Sequence, residues 1–429
     1  MCVMKTKFCL FLIFWGNVLL AQDKMTFKQA INKALQVSHQ IDSAKRKVSI
    51  QGLNVENTQS AFYPRLDFKS EHGVRKTNQD ELTRPWVSKA GLELTETLYN
   101  GGTNITEFRI SKLELESEGL SFAQNRDKLI LDLVQAYFDL SQQRALLQES
   151  KKNQKLIQDQ LNFVTQGFHA GLKQKKDVQR LKAKYQRSEL DLQNAELEIK
   201  RLVYVLKSLV FDDVNTEADF ESVTTEDVLF KNKKFEIHAD DFYSVKIAKL
   251  NREIQDERLS LAKKRYSPEI NLTSNISYGY ANYLGHAKEF NRKGDFQIFA
   301  GLGVNFPIWD WGMNRNAIQK ASEEKFILDN TLVQERNNFI QAVKNEKNSL
   351  EILEKEYGIN KKLLSIEEES FVSLNTDYKK GEISYLDLIN GLDDLSSARQ
   401  SVISSFYKIL RKQARLTYFQ GKIYDWANN

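Results

Sequence analysis

The 429-residue chain has two cysteines, four prolines and no apolar run long enough for a membrane helix. Both cysteines, Cys2 and Cys9, lie within the first nine residues. Disulfides, thiolate metal sites and a cysteine nucleophile are therefore not expected in the rest of the chain. A membrane-spanning helix needs ~20 apolar residues, and mean hydropathy is −0.51 with 28% charged residues. These numbers exclude a helical membrane protein. They do not exclude a β-barrel, because half of each barrel strand is polar. Charge is nearly balanced, so no concentrated basic face points to nucleic acid.

What is present begins with a secretion signal. Lys5 and Lys7 precede an apolar core, Phe8 to Leu20, and Ala21-Gln22 offers a small-residue cleavage site. Cleavage after residue 21 is expected, with export from the cytoplasm. Without Lys5 and Lys7 the 62 basic residues fall to 60, against 57 acidic ones, a net of +3.

The four prolines, Pro64, Pro85, Pro268 and Pro307, fall in two short regions. Proline is kept out of helix interiors and tolerated at strand starts and edges. Two short strand regions therefore interrupt two long helical ones. The halves match in register: Gly102 and Gly312 are separated by 210 positions, as are Asn104 and Asn314, Gly171 and Gly381, and Asp177 and Asp387. One unit used twice is the economical reading. The first repeat is placed at 22–210, an acidic connector at 211–242, the second repeat at 243–417 and a tail at 418–429.

Each repeat carries a strand pair after its first proline. Ile270, Leu272, Ile276, Tyr278 and Tyr280 alternate with Asn271, Thr273, Asn275 and Gly279. Phe296, Ile298, Ala300, Leu302, Val304 and Phe306 alternate with Gln297, Gly301, Gly303 and Asn305. Alternation of this kind marks strands between two unlike media. The first pair is weaker: Leu66, Phe68 and Val74, then Ala90, Leu92, Leu94 and Leu98. Tyr99, Tyr278, Tyr280, Tyr283, Trp309 and Trp311 sit at strand ends, as an interfacial girdle requires. Next come proline-free spans of 69 positions, Gly102 to Gly171 and Gly312 to Gly381. At ~1.5 Å per residue each spans about 100 Å of helix. The stripe Leu129, Leu133, Ala136, Tyr137 and Leu140 suits coiled-coil-like packing. Further helices, from about Lys175 to Leu209 and Ser384 to Thr417, make Gly171 and Gly381 hairpin tips.

Chemistry finds no purchase. His39, His72, His169, His238 and His286 form no metal spacing. Gly301-Leu302-Gly303 sits mid-strand with no crossover helix, so it is no dinucleotide loop; these glycines are expected to face a barrel lumen. Asp393-Asp394 and Glu367-Glu368-Glu369 lie on long helices, where adjacent residues do not face each other. No catalytic residue, metal site or cofactor is expected.

Several motifs in this order resemble the TolC family of outer-membrane efflux proteins. They are Tyr63-Pro64-Arg65-Leu66, Leu98-Tyr99-Asn100-Gly101-Gly102, Val134-Gln135-Ala136-Tyr137-Phe138 and Gly171 with Asp177-Val178. In the second half they are Pro268-Glu269-Ile270, Phe306 to Gly312, and Tyr378 to Gly381 with Asp387-Leu388. The resemblance implies a mainly α protein with membrane β-structure. It implies a homotrimer in which each chain gives four strands to one β-barrel in outer-membrane lipid, continued by a long periplasmic α-helical barrel. It implies a porin-like, non-enzymatic channel for efflux or type I secretion, working with an inner-membrane pump through a periplasmic adaptor that meets the tips at Gly171 and Gly381. In the family the periplasmic mouth is held shut by tip residues. Tyr378, Asp177 and Asp387 match that pattern, with Asp387 expected to line the constriction and bind cations. Two positions depart: Ile383 stands where the family lock has arginine, and Asn390 where it has a second acid. Lys175, Lys176, Lys379 and Lys380 are the nearest substitute partners. The alternative is a periplasmic adaptor, which also has a secretion signal and a helical hairpin. Such proteins carry one hairpin and several glycine-rich β-domains, against two hairpins and only paired strands here.

Overall fold

A computed structural model describes residues 25–74, 86–210, 219–221, 235–280 and 295–428. The expected signal segment, Tyr283 and most of the connector lie outside these residues. The chain divides into two compact units, Met1–Ala34 with Ala136–Val228, and Leu35–Gln135 with Leu229–Asn429.

The element order repeats. Helices α1 (Phe27–Val37) and α2 (His39–Ser60) lead to strands β1 (Arg65–Val74) and β2 (Trp86–Tyr99), then to helices α3 (Thr103–His169) and α4 (Lys175–Val210). Helix α5 (Tyr243–Lys264) leads to β3 (Glu269–Tyr280) and β4 (Asp295–Asn305), then to α6 (Met313–Lys380) and α7 (Tyr385–Phe419). A short α8 (Ile423–Asn428) follows. Both 69-position spans are thus nearly all helix, as the missing prolines require. The first repeat departs from the second at its start, where two helices stand in place of one. The Ser38 side chain accepts from the Ile41 N–H and caps a new helix. The expected tail also differs: α7 runs through Phe419, and α8 packs Tyr424 beneath the Arg126 guanidinium, 3.8 Å from the ring centre.

The Asn100 and Asp310 motifs gain a physical meaning. Asp310 accepts the Gly312 N–H at 3.0 Å and the Asn314 N–H at 2.8 Å, which caps α6. Asn100, 210 positions earlier, accepts the Asn104 N–H and caps α3. The chain must turn sharply between strand and helix here. Gly101 (φ 66) and Trp311 (φ 55) both take the left-handed region. A tryptophan there costs roughly 1 kcal/mol more than glycine.

The four strands form one antiparallel sheet in the order β1-β2-β3-β4. The β2–β3 pairing, Leu92 opposite Ile276, joins the two repeats. Registers place Leu66, Phe68, Leu92, Leu94, Ile276 and Ile298 on one face, and Asp67, Lys69, Glu93, Asn275 and Gln297 on the other. Strands β1 and β4 stand at the two edges. No described helix is long and apolar enough to cross a membrane.

Packing follows from named contacts. In the first unit, Tyr137 stands edge-on to Phe27 and Phe220 and donates to the Met25 carbonyl. Residues of the connector pair with the start of the chain through a parallel bridge, Met25 with Phe220. Arg144 clamps this bridge, donating to the Phe220 carbonyl and to Asp219. In the second unit, Phe242 stacks on Phe339 at 4.3 Å and meets Tyr418 and Phe419 edge-on. Gln255 and Arg252 fasten α5 to α6 through the Ala321 carbonyl and Asp329.

Candidate channel wall and hairpin tips

Two features can serve transport: the sheet and the hairpin tips. On the sheet, the apolar face is bare. Phe68, Ile298, Leu302 and Val304 are between 66% and 71% exposed. Side chains of that size in water would each cost about 1.5–3 kcal/mol relative to burial. Such a face is explained by hydrocarbon, not by solvent. At its Pro307 end, Trp309 and Trp311 pack edge-on at 5.8 Å and are 76% and 88% exposed. Aromatic rings at this level suit a membrane interface. The opposite face is wet. Lys69 donates to Glu93 at 2.6 Å across β1 and β2, and Arg65 to Asp67 along β1. The expected lumen-facing glycines, Gly301 and Gly303, lie on this polar face.

The second hairpin tip is built around Gly381. Its φ of 86 lets its N–H reach the Asp377 and Tyr378 carbonyls, and Glu382 N–H also returns to Asp377. Helix α7 then starts with a reciprocal cap. The Ser384 hydroxyl accepts the Asp387 N–H, and the Asp387 carboxylate accepts the Ser384 N–H at 3.2 Å and its hydroxyl at 2.6 Å. Asp387 is thus exposed yet held at a fixed place.

Tyr378, Ile383, Asp387 and Asn390 all lie at this tip, and they differ in access. Asn390 is exposed and Ile383 half-buried, whereas Tyr378 is only 1% exposed. Lys380 stands 4.0 Å from Asp377, not beside Asp387. At the first tip Gly171 (φ 75) turns the chain, and Leu172 N–H and Lys173 N–H return to the Gly167 carbonyl. Asp177 opens α4, with its N–H on the Gln174 carbonyl at 3.1 Å. Gln174 occupies the place of Ser384, so this tip has no serine cap. Leu172 projects, 79% exposed. The reciprocal cap is readable in the sequence from Ser384 and Asp387, three residues apart.

Among the described residues no group of three histidine, cysteine or acidic side chains could hold a metal. His72 bridges the Ser70 and Ser88 hydroxyls on the sheet at 2.7 and 2.9 Å. Glu368 meets Arg399 at 3.1 Å between α6 and α7.

Comparison with known proteins agrees with this architecture. The chain is similar to the outer membrane protein TolC of Salmonella enteritidis, 20% identical over 393 residues, spanning 89% of this chain and 78% of that protein. Its fold is similar to that of the outer membrane protein VceC from Vibrio cholerae, with a TM-score of 0.80 at 14% identity, covering 92% of this chain and 96% of the other. It is also similar to the Campylobacter jejuni CmeC outer membrane channel, with a TM-score of 0.79 at 15% identity, covering 92% and 86%. The profile described as "Outer membrane efflux protein" matches residues 30–210 and 244–422, one stretch for each repeat, and the chain belongs to that family of channels.

Proposed function

We propose that this outer-membrane efflux protein is the passive exit duct of a tripartite system, with three copies sharing one barrel. The carrying observation is the four-stranded sheet, apolar on one face and polar on the other, with a strand at each edge that meets no further described strand. A bilayer does not tolerate unpaired strand edges. Closing β1 of one copy on β4 of the next removes every edge. The long hairpins extend the duct into the periplasm, where an adaptor meets the tips around Gly171 and Gly381 and an inner-membrane pump supplies the energy. The work is transport without bond-making, so no cofactor enters.

At the mouth, Asp387 is the proposed constriction residue, with Asn390 one turn further on the same helix. The Ser384 cap supports this reading because it fixes the carboxylate in place while leaving it exposed. Ile383 offers no charge to pair with it, so the carboxylate keeps its charge for a cation while it caps α7. Tyr378 acts through packing, and Asp177 supplies an acid at the other tip.

Detergent-purified protein run on a sizing column and then placed in planar lipid bilayers tests the duct. A trimer that conducts ions is expected; a water-soluble monomer without conductance overturns the reading. In the same bilayers Asp387→Asn is expected to weaken block by divalent cations several-fold. Unchanged block would remove Asp387 from the constriction and leave the duct intact.

A further inference from the structure

The polar face of the sheet carries one aromatic side chain among its described residues. On β4 that face reads Gln297, Phe299, Gly301, Gly303 and Asn305, and Phe299 opposes Asn275 of β3. Phe299 breaks the alternation, because every other described side chain on this face of β3 and β4 is polar or absent. Its ring is 54% exposed. The ring lies along the strand and occupies the space above Gly301. A Cβ placed on Gly301 would stand 2.6 Å from Phe299 Cζ and 3.1 Å from Cε1. That separation is too short for two carbon atoms, so the missing side chain of Gly301 is what lets the ring rest against the wall.

The electrostatics of the wall differ around it. The neighbouring sector formed by β1 and β2 is charged, with Lys69 on Glu93 at 2.6 Å. The sector around Phe299 presents Asn275, Thr273 and Gln297, which carry no charge. An exposed ring among neutral amides offers its flat apolar surface and the negative face of its π-system. It does not serve as a lipid anchor, since the hydrocarbon-facing side chains are those of Ile298 and Leu302 on the other face.

We propose that Phe299 is a specificity-determining residue of the duct: three copies form an aromatic collar inside the barrel that contacts aromatic, apolar or cationic solutes as they leave, and Gly301 provides the berth that keeps the bore wide. This rests on the closed-barrel reading given above. Twelve strands spaced ~4.8 Å apart and tilted by about 40° enclose a backbone cylinder roughly 24 Å across. Rings from the wall narrow such a bore without sealing it. The collar is therefore a contact surface, and its two residues act in opposite directions. Removing the ring widens the bore and deletes the contact. Filling the berth pushes the ring toward the axis.

The test uses the purified full-length trimer in planar bilayers, with tetraphenylphosphonium as the aromatic cation and tetramethylammonium as the ring-free control. Wild-type currents are expected to show transient block by the first and none by the second. Phe299→Ala should raise open-channel conductance and weaken the block about tenfold, the size of a lost cation–π contact. Phe299→Tyr should keep the block, and Gly301→Ala should lower conductance. Block unchanged in Phe299→Ala, or absent from the wild type, overturns the collar. A wild type that forms no channels overturns the duct reading instead. If Phe299→Ala fails to assemble, Phe299→Cys in a chain with Cys2 and Cys9 replaced still decides the matter. It should react with a charged maleimide where Ile298→Cys does not, and the reverse labelling overturns the placement.

Discussion

The middles of α3 and α6 occupy equivalent places in the two repeats, yet they are covered differently. In α3, Ile130, Leu133, Val134, Tyr137, Phe138 and Leu140 are all 0% exposed. In the matching stretch of α6, 340–350, only Val343, Glu346 and Leu350 are buried, and further along Ile352, Ile359 and Ile366 are 64%, 65% and 62% exposed. Those three isoleucines recur every seven residues, the spacing of a coiled-coil seam. Helix α4 repeats the pattern with Leu190, Leu197 and Tyr204. Around Tyr137 the first repeat completes its belt within the chain, through Phe27, Phe220 and the bridge at Met25. Helix α4 of the first repeat and α6 of the second each leave a stripe that the proposed neighbouring copies cover. Duplication supplied the frame, and packing decided which stretch is covered within the chain.

The largest effect that would break this comparison is at Tyr137. Tyr137→Ala empties a fully buried site and is expected to cost about 4 kcal/mol, read as a fall in thermal midpoint. Ile359→Ala should cost less than about 1 kcal/mol in the isolated chain, while lowering the trimer fraction on a sizing column. Equal losses of stability at both sites would abolish the distinction.

Next comes Asp127, a fully buried carboxylate in α3 where α6 has the exposed Asn337. It accepts from the Tyr243 hydroxyl at 2.7 Å and pairs with Arg126 at 2.8 Å. Burial raises its pKa above the ordinary carboxylate value, against the opposing pull of Tyr243 and Arg126. A raised folded-state pKa contributes stability that is complete below the unfolded value, about 3.9, and is lost as pH rises through the folded value. Asp127→Asn removes that dependence and can keep the Tyr243 bond. The stability of Asp127→Asn relative to wild type should thus improve as pH rises from about 4 toward neutrality, in paired melts across that range. A gap that does not change with pH would mean the carboxylate is not penalised by its surroundings.

The smallest effect separates the tips. Ser384→Ala should cost about 1 kcal/mol by removing the cap, seen as faster amide exchange at Asp387. Gln174→Ala at the other tip should change nothing measurable, whereas Gln174→Ser should slow exchange at Asp177.

Much of this is legible in the sequence. The absent prolines marked the long helices, and the paired glycines marked the tips, because both residue types act through local backbone geometry. The strand faces followed from alternation. Other features were hidden. The break between α1 and α2 depends on one serine cap in an otherwise helical run. Phe299 disappeared into an alternation that its neighbours satisfy. Tyr378 matched a gating pattern, but its burial depends on how its own hairpin packs. Nothing local marks Asp127 as buried, since its hydroxyl donor Tyr243 lies 116 positions away.

Sequence alone determined the periodic properties of this protein: two repeats, four amphipathic strands, and four helices too long for a globular domain. These depend on residue spacing and on the conformational limits of proline and glycine, which act over a few neighbours. Only the tertiary structure decided which equivalent positions are covered, which carboxylate is buried and which ring rests in a glycine berth. Those outcomes depend on side chains brought together from distant parts of the chain, and no local pattern encodes them.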